Sequence, residues 1–387
     1  MRKHSAKGLI TLLFAIPVLA SLLLAPAGTA ENRNLAPSPA LPHSWAETLA
    51  WPGKAELWIN DHLGLRNQLI ALNNRVRYTL FRQFPTRQLL AGQHGRLFLS
   101  AYNTVDAPYS GIQTVCGYAA DANLRAMLVQ HLGTFQQVME QQHLAGRLLI
   151  APSAPVLYHE DLPDWLQARC AVAATPIEQA LATAGLQDAS HVLYPLAALR
   201  AARADAAIFP STWFHWAGDG PRLAADLSVQ RFWPMATPAP APLASVMQTL
   251  PSDLDSLAPG LALHSKVKKV DFAASGVQEC NGASCFPEMP DLMAKLWGVN
   301  RYQNPAAPLP RLVLITDSFG VSAGPWFARY YRDVLQVATN DLAQLAPAEV
   351  QRLKSLLFQQ QTPQHLLFLY HDGTVQGGGR IGTDLHL

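Results

Sequence analysis

The sequence predicts an α/β protein built on a mostly parallel sheet with helices on both faces. Three observations carry that reading. Short apolar runs alternate with longer stretches of helical periodicity, the pattern of strands and crossover helices. The clearest run, Leu312-Val313-Leu314-Ile315, leads into Thr316-Asp317-Ser318-Phe319-Gly320 and then a further helical pattern. The chain has 387 residues, 49% of them hydrophobic, enough for one large core or two modest ones.

Residues 1–30 read as a signal peptide or a membrane anchor. Arg2, Lys3, His4 and Lys7 make a basic start, and an apolar run from Leu9 to Leu24 follows, interrupted by Pro17. Gly28 and Ala30 offer a small-x-small cleavage site after Ala30. The apolar run is near the lower length limit for a spanning helix, so both readings stay open. Either one places the rest of the chain outside the cytoplasm.

Residues 31–100 read as an N-terminal leader. Pro37, Pro39 and Pro42 mark an extended start, and from Ala55 to about Phe84 apolar positions recur at helical spacing. Gln93-His94-Gly95 is a turn before a short strand, Leu97-Phe98-Leu99. The main domain is expected over residues 101–387. Its helices are predicted at Ala120 to His143, Pro176 to Ala184, Val321 to Asp333 and Pro347 to Gln360. Its strands are predicted at Leu148 to Ile150, His191 to Tyr194, Leu312 to Ile315, Val334 to Ala338 and Leu366 to Tyr370. Residues 217–262, rich in Pro and Ala with a broken helix pattern, read as a linker or lid.

Charge excludes one class of function. Only 14% of residues are charged and the formal net charge is +2. Lys266, Lys268 and Lys269 form no more than a short basic run. Nucleic-acid binding needs a concentrated basic face, which is missing. The four cysteines fit an exported protein. Cys280 and Cys285 flank the turn-forming Asn281-Gly282-Ala283-Ser284, a spacing that suits a small disulfide loop, and Cys116 and Cys170 are candidates for a second bridge. Four cysteines allow three pairings, and spacing does not choose among them. A zinc site is disfavoured because no C-x-x-C pair is present.

Ser318 is the candidate nucleophile. A buried strand followed by a sharp turn exposes its hydroxyl outside the carboxyl end of the sheet, where ligands of such folds gather. Backbone N–H groups at a helix start are suited to holding a developing oxyanion. The competing reading is that Asp317 or Ser318 only caps the helix.

Thr316-Asp317-Ser318 resembles the G-D-S block of SGNH (GDSL-type) hydrolases, with Thr316 in place of Gly. From about Glu31 to about Tyr370 the chain is similar to the alginate O-acetylation proteins, SGNH-hydrolase-like O-acetyltransferases of the periplasm. The stretch Asp61-His62-Leu63-Gly64-Leu65-Arg66 resembles that family's D-H-F-G-x-R, and Gly92-Gln93-His94-Gly95-Arg96-Leu97-Phe98 its G-x-x-G-W-L-F. Pro152 to Leu162-Pro163 resembles a further block ending in L-P. The resemblance implies an SGNH-like fold and a base in a D-x-H-W motif upstream of the nucleophile.

The matching segment is Trp213-Phe214-His215-Trp216. His215 and Trp216 fit, but Trp213 stands where the aspartate is expected. An indole donates through its N–H and accepts nothing from an imidazole N–H. Three readings remain open. Asp219 or Asp317 orients His215; a backbone carbonyl does so in a Ser–His dyad; or the site is degenerate. Asp384-Leu385-His386 also reads D-x-H, in the terminal segment after the glycines at 377–379, and His371-Asp372 follows a predicted strand. Trp213, Trp216 and Phe319, together with Phe214 and Trp326, are candidates for stacking on sugar rings, against the alternative of core packing.

The resemblance implies transfer of an acetyl group through acetyl-Ser318 to hydroxyls of an exopolysaccharide. It implies as partners the polysaccharide, a membrane protein that delivers acetyl groups, and other exopolysaccharide export proteins. The chemistry requires no cofactor. The alternatives are a carbohydrate esterase and a catalytically weak or inactive polysaccharide-binding or assembly subunit.

Overall fold

The computed structural model describes residues 16, 36–62, 64–117, 122–171, 174–234, 240–358 and 364–377. Apart from Ile16, the signal or anchor expected over residues 1–30 lies outside these, as do Asp384 and His386. Among the described residues, no helix is long and apolar enough to cross a membrane. The chain divides into a larger unit, Arg87–Asp253 with His264–Leu387, and a smaller one, the residues up to Thr86 with Leu254–Leu263.

The smaller unit holds helices α1 (Trp45–His62) and α2 (Arg66–Phe81). The single helical pattern expected from Ala55 to Phe84 is thus broken between His62 and Arg66, and Leu65, with a left-handed backbone (φ 64°), caps the start of the second helix.

The larger unit opens with a hairpin of β1 (Leu89–Ala91) and β2 (Leu97–Leu99), both of which the sequence reading assigned to the leader. Its centre is a seven-stranded sheet in the order β4-β3-β11-β9-β10-β8-β7. The strands are β3 (Gly146–Ala151), β4 (Val192–Leu193), β7 (Gln278–Asn281), β8 (Val299–Gln303), β9 (Leu309–Thr316), β10 (Tyr331–Ala338) and β11 (His365–His371). β4 through β10 run parallel, and β8 and β7 extend the sheet antiparallel. β5 (Ser245–Pro251) and β6 (His264–Val270) form a separate hairpin. The expected α/β class is the one observed.

Side-chain alternation along the strands builds two cores. Leu149, Leu312, Leu314, Leu367 and Leu369 face one side with α3 (Ser110–Cys116), α5 (Ala154–Leu157), α6 (Asp164–Cys170), α8 (Leu196–Ala202), α9 (Asp219–Phe232) and α11 (Gly324–Phe327). Leu148, Ile150, Val313, Ile315 and Phe368 face the other with α4 (Ala122–Gln141), α7 (Pro176–Thr183), α10 (Pro290–Met293), α12 (Pro347–Leu357) and α13 (Asp372–Gly377). A parallel sheet is covered on both faces for this reason.

Two segments differ from expectation. The helix predicted from Val321 to Asp333 is only a 3₁₀ turn (Ser318–Ser322) and α11. Tyr330 and Tyr331 are buried instead, and β10 begins at Tyr331. The stretch 217–262, expected as linker or lid, contains α9, which buries Ala224, Ala225, Val229 and Phe232 in the core, and strand β5.

Candidate active site

Ser318 follows directly on β9, between the carboxyl ends of β11 and β10. The turn is fixed from three sides. Thr316 Oγ1 donates to the Leu369 carbonyl (2.8 Å), and the Asp317 N–H donates to the same oxygen (3.2 Å). Asp317 Oδ1 accepts the Phe319 N–H (2.9 Å), while its Oδ2 accepts the His371 N–H (2.9 Å) and lies 2.7 Å from His371 Nδ1. A Cβ on Gly320 would fall 1.7 Å from Thr316 Oγ1, so the turn has room only for glycine there. Asp317 thus caps the turn, and Ser318 is the first residue of the 3₁₀ turn that follows the strand. The Ser318 N–H has no hydrogen-bond partner among the described residues.

His215 Nε2 lies 3.0 Å from Ser318 Oγ, across 103 positions of sequence. Its Nδ1 lies 2.7 Å from Asp253 Oδ2. The same carboxylate accepts the backbone N–H groups of Phe214 and His215, each at 2.9 Å. Asp253 thus grips both the ring and the chain that carries it. The β5–β6 hairpin delivers it: the pairing ends at Pro251 opposite His264, and Ser252 and Asp253 follow. Ser252 Oγ donates to the Thr212 carbonyl, and the Thr212 N–H donates to Ser265 Oγ (2.9 Å), so the hairpin is fastened beside the histidine segment. An Nδ1–H held by Asp253 leaves the Nε2 lone pair facing the serine hydroxyl.

Neither carboxylate considered from the sequence is the partner of His215. Asp219 is buried and committed to Lys268 Nζ (2.9 Å), Arg222 Nε (3.0 Å) and the Ala207 N–H (3.1 Å). Burial raises its pKa, but the hydrogen bonds from Lys268 and Arg222 outweigh burial and hold it below the ordinary value. Asp317 faces His371; burial pushes its carboxyl up, and the His371 imidazole more than offsets this, so it stays low. Nor is a backbone carbonyl needed, since Asp253 occupies Nδ1. Asp253 left no signal in the sequence: it lies 38 positions beyond His215 in no recognisable motif.

His371 and Asp372 form part of a buried polar group behind the turn. His371 stacks on Phe319, with ring centroids 4.6 Å apart at 7°. Asp372 accepts from the Ser153 N–H (3.1 Å), and burial raises its pKa.

Three of the aromatic residues considered as sugar platforms are interior. Trp216 is 1% exposed and its Nε1 donates to the Phe319 carbonyl (2.7 Å); Phe319 is fully buried. They support the turn from beneath, the packing that exclusion of apolar surface from water favours. Trp326 is buried against Phe272. Trp213 is half-buried and lines a small apolar pocket with Leu97, Phe98, Tyr102 and Ser153.

Cys116 bridges to Cys170, with Cα atoms 4.8 Å apart, and Cys280 to Cys285, at 5.4 Å. The first ties α3 to α6; the second closes the turn after β7. Among the described residues no three His, Cys, Asp or Glu side chains converge to hold a metal ion.

No protein-family model and no curated protein matches this chain. Solved structures similar to it include the O-acetyltransferase domain of Pseudomonas putida AlgJ, with 14% identity and a TM-score of 0.44, over 74% of this chain and 92% of that one. Bacillus cereus PatB1 is similar at 12% identity and a TM-score of 0.49, over 74% of this chain and 96% of its own. A DHHW family protein from Eubacterium siraeum is similar at 13% identity and a TM-score of 0.44, over 67% and 88%.

Proposed function

We propose that this protein is an exported acyltransferase that moves acetyl groups through Ser318 to hydroxyls of an exopolysaccharide. The observation that carries the reading is the relay Ser318 Oγ–His215 Nε2–Asp253, at 3.0 and 2.7 Å. These distances suit a nucleophile, a base and an orienter. The absence of aspartate at position 213 is then no defect, because Asp253 supplies the carboxylate.

Ser318 Oγ attacks the donor's acetyl carbonyl while His215 Nε2 takes its proton. The Ser318 N–H is available to the developing oxyanion. Collapse expels the donor's alcohol or thiol, which receives the proton from His215, and leaves acetyl-Ser318. A sugar hydroxyl, deprotonated by His215, attacks that ester and carries the acetyl group away, and the proton returns to Ser318. Water in place of the sugar gives esterase activity. The choice of acetyl, polysaccharide and a membrane-borne donor partner rests on the family resemblance. Export is supported by the two disulfides.

The test is turnover of a chromogenic acetyl ester, with and without an oligosaccharide acceptor. Activity is expected to vanish in Ser318→Ala and in His215→Ala, and acetylated oligosaccharide is expected by mass spectrometry. Ester turnover that survives Ser318→Ala would sink the mechanism. Turnover that yields only acetate across a panel of acceptors would replace the transferase by an esterase.

A further inference from the structure

The helix α2 carries its apolar side outward. Its inner side is the buried Asn74 with the half-buried Ile70, Ala71 and Tyr78. Asn74 Nδ2 donates to the Pro259 carbonyl (3.0 Å), and Arg75 donates to the Gly260 carbonyl. Gly260 has φ +88°, and a Cβ there would lie 2.4 Å from the Ala71 Cβ, so the segment 254–263 lies directly against this side. The opposite side presents Leu69, Leu72, Val76 and Leu80, spaced i, i+3, i+7 and i+11, which is one stripe of a helix. These are 45%, 59%, 44% and 68% exposed. A helix of a globular protein ordinarily turns such a stripe inward. Phe81, also exposed, extends it at the carboxyl end.

Helix α2 and its flanks in sequence are basic. Between Asp61 and Asp106 the sequence contains no Asp or Glu, and α2 with its flanks contains Arg66, Arg75, Arg77, Arg82 and Arg87. Arg77 donates to Gln83, and Arg82 lies over the Tyr78 ring. Among the described residues neither of these two arginines is paired with a carboxylate. An apolar stripe bordered by arginine is the surface that lies in the boundary between lipid headgroups and acyl chains. A second copy fits poorly, because a two-fold contact through this helix would set arginine against arginine with no acid between them.

We propose that α2 docks flat on a bilayer containing anionic lipid, with Leu69, Leu72, Val76 and Leu80 in the acyl boundary and Arg77 and Arg82 on the headgroup phosphates. This goes beyond the acyl-transfer reading and stands without it. It would hold the enzyme at a membrane surface, where a membrane-borne donor is within reach.

The test uses the full chain with Thr79→Cys carrying an environment-sensitive dye beside the stripe, the four native cysteines being paired with one another. The protein is titrated with phosphatidylcholine vesicles and with phosphatidylcholine–phosphatidylglycerol vesicles. The expected result is a blue shift of the dye with the anionic vesicles alone, weakened by salt. Leu72→Ser with Leu80→Ser abolishes the shift, and Arg77→Gln and Arg82→Gln each weaken binding by about fivefold. A dye that stays in water with anionic vesicles overturns the proposal, as does an equal shift with both vesicle types. A shift that appears without vesicles and grows with protein concentration shows instead that a second copy covers the stripe.

Discussion

Asp253 Oδ2 stands 2.7 Å from His215 Nδ1 and also accepts the His215 backbone N–H, so one carboxylate fixes both the ring and its anchor. The expected consequence of Asp253→Asn is a fall in kcat of about 10³ to 10⁴, with the fold retained, because the amide favours the wrong imidazole tautomer. Ester turnover and thermal melting of the same preparation check this. Loss of less than about tenfold would mean that another group orients His215.

Trp213→Asp restores the residue that the family motif has at this position. It is expected to leave kcat unchanged or lower, since Nδ1 of His215 already has its acceptor. A gain of about tenfold or more in steady-state turnover would show that Asp253 is an incomplete substitute.

Asp219→Asn separates a structural carboxylate from a catalytic one. Asp219 holds Lys268 and Arg222, so its loss leaves Lys268 without its carboxylate and Arg222 with Asp226 alone. A destabilisation of about 1–3 kcal/mol in urea unfolding is expected, with turnover per folded molecule preserved. Its folded pKa is below the unfolded value, so it contributes stability at neutral pH that is lost as pH falls through the folded pKa. The difference between wild type and variant is therefore expected to shrink toward strongly acid pH.

Asp317→Asn acts on both stability and rate. Asp317 is buried, and its two oxygens hold the Phe319 N–H and His371 on either side of the nucleophile turn. Breaking this pair is expected to cost about 3–5 kcal/mol. The folded pKa is again depressed, so this stabilisation is present at neutral pH and disappears under acid. Denaturant midpoints at neutral and acid pH measure it, and kcat reports the displacement of Ser318. A variant with wild-type kcat would show that the cap does not position the nucleophile.

The two disulfides close loops of very different size, with separations of 54 and 5 residues. Chain entropy predicts losses of about 4 and about 2 kcal/mol on removing them, in that order. Paired Cys→Ala variants compared by urea unfolding check the ranking, and a reversed order would point to native contacts beyond the chain constraint.

His215 was singled out by the family resemblance; the α/β class, most of the strands and the place of Ser318 at a strand end were legible in the sequence by itself. Each is a local signal: an apolar run such as Leu312 to Ile315 is continuous because its strand is covered on both faces, and a turn with glycine follows because Thr316 leaves no room for a Cβ at position 320. Only the tertiary structure decided which carboxylate serves His215. Asp253 reaches it through a hairpin pairing and a serine clasp between segments about forty residues apart, and no local pattern encodes such a meeting. The same holds for Asp219 and Asp317, which sit close in sequence to His215 and Ser318 but spend their charge on Lys268, Arg222 and His371. It holds for facing as well. Periodicity marks the apolar stripe of α2, whereas the aromatic cluster at Trp216 and Phe319 reads from the sequence as sugar platform or core alike. Three-dimensional packing alone set the cluster in the core and left the α2 stripe in the open.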